Sequence, residues 1–347
     1  MTGDSVSRVA TLGVGYCVPD AIRDNDDPVF AYLNSHKPDK NADIFAGLKH
    51  RRVLAKPEDV VDIMVQAAIR ALSDAGKLPG DVDMLFGTAS VSQYNAPNDL
   101  AAVHAKLKLS NQCRILSLNT EYTNFHDGMK LANDLVSVGT AKCALVVCGC
   151  NWTHHVDYQE SVALAASDGA GAAVVGWTID ASKFRLVDWD NETRTDLFGA
   201  LRMAPRVASP ATPAVPSTQP AEVFSPPLMK LDDQRGGSAV KGFGFPEAGV
   251  VVHRLLQRNN VLAQDVTLIA HQTSKPVCDR WANDIRPGQF IGSLEDFGDM
   301  VMASVPVFWG KFQADIQMDH LVLLGIGMEM RVTALLYHRG PEATTAT

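Results

Sequence analysis

Along almost the whole chain, short runs of β-branched and aliphatic residues alternate with longer stretches whose apolar residues recur at helical spacing. That alternation restricts the fold more than any other feature, because strands separated by helices bury their faces in α/β layers. Strands are expected at residues 9–15, 84–88, 114–118, 144–148 and 170–176, with helices at 60–75 and 125–138. Each of these helices ends close to a glycine, Gly76 and Gly139, which suits a left-handed cap. The second part repeats the scheme, with strand 184–189, helix 247–259, strand 267–271, helix 305–316 and strands 321–325 and 331–337.

At 347 residues the chain exceeds one usual core and falls short of three. Two halves are therefore expected, residues 1–177 and 178–347. Residues 81–90 and 265–274 form a faint echo, each placing a buried apolar run after a helix and a short turn. Either the halves are related, or two buried strands after helices merely look alike. Between the halves, residues 204–227 are rich in proline, alanine, serine and threonine, a mixture that forms no helix and favours extended backbone. This insertion reads as a surface linker in preference to a flap beside a site.

Composition narrows the function. Hydrophobic residues make up 46% and charged residues 20%, which separates the chain from disordered and membrane classes. No apolar run approaches the length of a membrane span. The polar start from Met1 to Arg8 leads directly into an apolar strand without the pattern of a signal peptide, so a cytoplasmic protein is expected. Lys and Arg total 31 against 39 Asp and Glu, a net charge of -8 with no basic stripe, so neither a nucleic acid nor a membrane is expected as a partner. The six cysteines sit mostly in apolar runs, at spacings that match neither a disulfide framework nor a zinc site. Cys148-Gly149-Cys150 with His154-His155 fits no common four-ligand pattern. Gly169-Ala170-Gly171 imitates a dinucleotide-binding loop but falls inside an expected strand. No metal and no cofactor are expected.

Three clusters fall at strand ends, where α/β folds place functional groups. Asn119-Thr120-Glu121-Tyr122-Thr123-Asn124-Phe125 leads into a helix, whose positive end favours an anion. Ile269-Ala270-His271-Gln272-Thr273-Ser274 puts an imidazole just beyond a buried strand. Gly298-Asp299 opens a turn that enters another helix through Ala303-Ser304-Val305-Pro306.

These clusters, taken with residues 144–148 and the run Ser167-Asp168-Gly169-Ala170-Gly171-Ala172-Ala173-Val174, resemble the β-ketoacyl-ACP synthase III family from about Val9 to His338. The resemblance implies a thiolase fold, in which two similar βαβαβ-type halves form a layered α/β structure, commonly as a dimer. It also implies site residues. The family's active histidine matches His271, and its turn asparagine is replaced by Asp299. Its nucleophilic cysteine falls on Tyr122, and Cys113 lies nine residues too early to substitute. Gly327, Glu121 and Ser274 complete the set as oxyanion or substrate-contacting positions.

The departures alter the expected chemistry. A cysteine at neutral pH is already partly thiolate, whereas a tyrosine, with a reference pKa of about 10, is far less ionised. A covalent acyl-enzyme is not expected. A carboxylate beside His271 orients the imidazole for general-base work on a hydroxyl or amine. A branch of the family with a cysteine, histidine and aspartate transfers acyl groups from carrier proteins to oxygen nucleophiles, and this chain shares its aspartate. The stretch Asp43-Ile44-Phe45-Ala46-Gly47-Leu48-Lys49-His50-Arg51-Arg52 lacks the family's tryptophan and arginine for the CoA nucleotide, which favours a carrier-protein thioester as partner. Lys49, His50, Arg51 and Arg52 either meet an acidic carrier or form a solvated basic face. The expected activity is acyl transfer from a thioester bound to an acyl carrier protein, in specialised metabolism. The alternatives are a non-catalytic subunit paired with a cysteine-bearing homologue, and decarboxylative condensation. The expected assembly is accordingly a homodimer or a heterodimer with a homologue, packed through residues 114–118 and 144–148.

Overall fold

The computed structural model describes residues 7–38, 41–94, 96–204, 227–232 and 234–341. Apart from its two ends, the proline-rich stretch lies outside the described residues. Five strands build the first sheet: β1 (Arg8–Cys17), β2 (Met84–Ala89), β3 (Arg114–Ser117), β4 (Cys143–Asn151) and β5 (Asp168–Thr178), in the order β1-β5-β4-β2-β3. The next strand, β6 (Arg185–Thr193), belongs to the second sheet. A small antiparallel ladder, β7 (Leu201–Ala204) against β8 (Leu228–Leu231), brings the two ends of the proline-rich stretch together. The second sheet is completed by β9 (Val266–Ala270), β10 (Gln289–Ile291), β11 (His320–Gly327) and β12 (Arg331–His338), in the order β6-β12-β11-β9-β10.

The two sheets share one topology. In the first, β1, β5 and β4 pair antiparallel, and β4, β2 and β3 pair parallel. In the second, β6, β12 and β11 pair antiparallel, and β11, β9 and β10 pair parallel. The strands of the faint sequence echo, β2 and β9, therefore hold equivalent places.

Helices fill three layers around these sheets. On the outer face of the first lie α1 (Val60–Asp74) and α2 (Leu100–Leu107), with Ile63, Leu100 and Val103 packed on Leu85, Leu145 and Val174. A reciprocal cap between Asp59 and Asp62 starts α1, and its buried Val60, Ile63, Met64, Ala67 and Ala71 follow the three-and-four spacing of one helical face. Burying Ile63 and Met64 completely contributes roughly 1.5–3 kcal/mol each. The helix comes so close that a Cβ at Gly13 or Gly15 of β1 would sit 2.3 Å from a backbone nitrogen of α1 or its C-cap. Between the sheets run α3 (Asn124–Ser137) and α6 (Ser304–Phe312), where Phe125, Met129 and Phe308 meet Val146 and Val175 from one side and Leu323 and Leu335 from the other. On the far face, α4 (Phe245–Arg258) and α5 (Lys275–Ile285) pack Val251, Leu255 and Trp281 against Leu268, Val322 and Leu336. The result is the layered α/β architecture of the thiolase fold.

Most expected elements appear within a few residues of their positions. Helix α6 stops at Phe312, short of residue 316. Helices α2 and α5 and strand β10 were not legible in advance. The first is only eight residues long, and α5 spaces its apolar contacts thinly, at Val277, Trp281 and Ile285, among charged residues. The two segments expected at a subunit interface differ in kind. Among the described residues, strand β3 is a largely exposed edge paired only with β2, whereas β4 is paired on both sides within its own sheet. Among the described residues, no helix is long and apolar enough to cross a membrane.

Candidate active site

Three chain segments converge between the two halves, and each is held by its own backbone. Past β3, the chain turns sharply into α3 and places Tyr122 in the left-handed region at φ 65°. A non-glycine residue there carries strain of order 1–3 kcal/mol and persists only where neighbours fix it. Here they do. The Thr120 hydroxyl donates to Asp127 at 2.7 Å, Arg331 donates to both Asp127 and the Thr123 hydroxyl, and Asn124 donates its side-chain amide to the Leu118 carbonyl at 2.8 Å. The turn thus presents one side chain to the site in a fixed direction, as a nucleophile holder does.

That side chain is a phenol. Tyr122 is 5% exposed and lies edge-on to Trp152, with ring centroids 5.8 Å apart, and 5.2 Å from the ring of His271. Burial raises its pKa well above the usual value, and the charges of Asp299, Glu121 and Cys150 add to the shift. The hydroxyl therefore stays neutral and acts as a hydrogen-bond donor, not as a phenolate nucleophile.

His271 follows β9 directly and extends its parallel pairing, its amide donating to the Leu324 carbonyl at 2.8 Å. Its Nε2 lies 2.8 Å from Oδ1 of Asp299. A carboxylate only accepts, so Nε2 carries the proton and Nδ1 is the bare nitrogen of the neutral ring. Nδ1 is buried and has no hydrogen-bond partner among the described residues. This differs from a triad in which the acid holds the far nitrogen and leaves Nε2 free. Asp299 is fixed in turn by its backbone, its amide donating to Ala165 at 2.8 Å and its carbonyl accepting from Ser167 at 3.0 Å. The preceding Gly298 takes φ 65°, which glycine accommodates without strain. Oδ1 also accepts from the Val301 amide at 2.7 Å, so Oδ2 is the carboxylate oxygen left over for a ligand.

Tyr122, His271, Asp299 and Gly327 all line one cleft. Its other walls are mainly apolar, including Phe45, Trp152, Leu201, Met229, Leu231, Phe245, Ile326 and Met330, with Thr273 as a further polar group. Leu201, Met229 and Leu231 come from the β7–β8 ladder, so the strands flanking the proline-rich stretch belong to the site wall. The sequence ranked a flap beside the site below a surface linker, and the flanks of the stretch favour the former.

The remaining expected site residues do not line the cleft. Ser274 sits at the start of α5 with its hydroxyl buried and unpaired. Glu121 is partly buried. Burial raises its carboxyl pKa to about 7, helped by the charge of Glu329 and opposed by the Ser90 hydroxyl. The basic run does not form one face either. Arg51 is 2% exposed and donates to the Leu164 carbonyl at 2.7 Å, Arg52 lies over the ring of Phe297, and Lys49 pairs with Glu295. Cys148 and Cys150 are wholly buried in β4, while His154 and His155 bond the carbonyls of Leu54 and Pro227. Among the described residues, no group of three or more His, Cys, Asp or Glu is arranged to hold a metal ion. Gly169 and Gly171 lie within β5, where a Cβ would strike Met300 and Pro306.

Residues 116–195 match the family model described as 3-oxoacyl-[acyl-carrier-protein (ACP)] synthase III. The chain is 26% identical over 330 residues to a β-ketoacyl-[acyl-carrier-protein] synthase III of Natranaerobius thermophilus, covering 93% of this chain and 96% of that one. Its fold superimposes on 3-oxoacyl-(acyl carrier protein) synthase III, FabH, from Pseudomonas aeruginosa PAO1 with a TM-score of 0.78 at 25% identity, over 97% of this chain and 99% of that one. The corresponding enzyme from Aquifex aeolicus VF5 gives a TM-score of 0.79 at 19% identity, over 95% and 99%, a likeness of fold alone.

Proposed function

We propose that this β-ketoacyl-ACP synthase III-like chain of the thiolase fold transfers an acyl group from a carrier-protein thioester directly to a hydroxyl or amine acceptor. One observation carries this reading: the cleft contains a buried imidazole–carboxylate pair, but the turn that would present a nucleophile presents a neutral phenol. A site with a base and no nucleophile favours direct attack by the acceptor.

In this mechanism the acceptor O–H or N–H bonds to the free oxygen of Asp299, which His271 steadies through its Nε2–H. As the acceptor attacks the thioester carbonyl, its proton passes to Asp299. The carbonyl oxygen gains negative charge and is stabilised by the Tyr122 hydroxyl and a backbone amide near Gly327. The carbon–sulfur bond then breaks, and the departing thiolate takes the proton from Asp299, so protons and electron pairs balance.

A second reading has its own support. The turn at the family's cysteine position carries the buried Tyr122 ring, which suits a non-catalytic subunit paired with a cysteine-bearing homologue. Free edge β3 would serve the packing of either a homodimer or such a heterodimer. The test is to mix the protein with an acyl-carrier thioester and hydroxyl or amine acceptors, then follow free thiol and product by mass spectrometry. Ester or amide formation without carbon dioxide supports transfer. Carbon dioxide release with a carbon–carbon product would replace it with condensation, and turnover confined to a mixture with a cysteine-bearing homologue would replace it with the subunit reading.

A further inference from the structure

The first turn of α3 carries a second histidine that the proposed chemistry leaves unused. His126 is 1% exposed, and both of its ring nitrogens are buried without a hydrogen-bond partner. Leaving a polar atom unpaired in a core costs about 1–3 kcal/mol, so an apolar residue would be the more stable choice. Its ring lies over Gly325 of β11. A Cβ built there would be 2.5–3.0 Å from its Cε1, Nδ1 and Nε2, so the glycine makes room for the imidazole.

The strand register places His271 beside it. Ala270 of β9 pairs in parallel with Leu324 of β11, so His271 and Gly325 are lateral neighbours, on strands about 4.8 Å apart. Both face the layer between the sheets. Ile269 and Leu323, two residues before each, point into the same central cluster as Phe125, whereas Leu268, Ala270, Val322 and Leu324 point to the opposite face. A ring covering Gly325 therefore stands next to the side chain of His271. Three ring nitrogens on these neighbouring residues, Nδ1 of His271 and both nitrogens of His126, are buried with no hydrogen-bond partner among the described residues.

We infer that His126 is a positioning residue for His271, donating its ring N–H to the bare Nδ1 through one enclosed water. That bond fixes the ring orientation and the tautomer whose Nε2–H holds Asp299, much as an outer partner orients a ligating histidine. Burial and the charges of His271 and Arg331 push the His126 imidazole down to about 3, so it remains a neutral ring with one donor and one acceptor at physiological pH. His126 does not touch substrate. It acts through His271.

The inference rests on the acyl-transfer reading only for its kinetic arm, and its structural arm needs no substrate. With ¹⁵N-labelled histidine, the His271 Nδ1 resonance should carry the signature of a hydrogen-bonded bare nitrogen. In His126→Phe it should move to the position of an unbonded lone pair, and His126→Gln, which keeps a donor, should restore it. If His126→Phe does not fold, Gly325→Ala displaces the same ring by its methyl group and should give the same spectral change. Turnover in His126→Phe should fall about tenfold in kcat with KM unchanged, and the glutamine variant should recover most of it. An unbonded Nδ1 in the parent, or a resonance indifferent to both His126→Phe and Gly325→Ala, overturns the assignment whether or not the protein transfers acyl groups.

Discussion

Replacing Asp299 by asparagine tests the proposed chemistry most directly, because it changes charge with little change in shape. The asparagine carbonyl can keep both bonds made by Oδ1, to His271 Nε2 at 2.8 Å and to the Val301 amide at 2.7 Å. These bonds become neutral and weaken from about 1.5–3 to about 0.5–1.5 kcal/mol each, while the cost of burying a carboxylate disappears. The opposing effects leave stability within about 1–2 kcal/mol of the parent, a small shift in Tm for a chain of this size. Activity should change far more. Oδ2 becomes an amide nitrogen that cannot take a proton, and general-base groups contribute about 100- to 10,000-fold, equivalent to about 3–5 kcal/mol of barrier. The assay is product formation from the native acyl carrier at saturating acceptor, variant against parent. His271→Ala combined with Asp299→Asn should be little worse than either alone, because the two residues act as a unit. Near-equal rates for parent and Asp299→Asn would refute the proposed transfer mechanism, and unchanged activity of an assembled complex would point to a partner's chemistry.

Incubation with acyl-carrier thioesters should give no stable adduct by intact mass, because the buried Tyr122 phenol is not ionised; an acyl group mapped to Tyr122 would establish a covalent route. Glu121→Gln should raise Tm at pH 8 and leave it nearly unchanged at pH 4. The native carboxyl is raised to about 7, so the folded state holds a proton that the unfolded chain releases near 4.5, and parent stability falls as pH rises between those values. Equal gains at both pH values would show that the charge is not responsible. Light scattering should show a dimer at micromolar concentration, alone or with a homologue, and Leu116→Lys on the exposed β3 edge should weaken it. A parent that stays monomeric under both conditions would remove that edge as an interface.

The sequence by itself determined the layered α/β class, most strands and the long helices. Those features depend on local periodicity, and residues such as Ile63, Met64 and Ala67 show their face in the order of letters. It also marked Tyr122, His271 and Asp299, through strand-end clusters and the family resemblance that those clusters carry. Tertiary structure alone decided how they act. Which imidazole nitrogen meets Asp299 depends on two loops 28 positions apart, and no spacing encodes that orientation. The β7–β8 ladder reached the cleft through pairing across the proline-rich stretch, and Arg51 left a basic run for the interior through contacts more than a hundred residues away. His126 reads in sequence as one more residue on a buried helical face. Its place beside His271 arises only when parallel pairing of β9 with β11 sets His271 next to Gly325, since lateral neighbours in a sheet are fixed by register and not by distance along the chain.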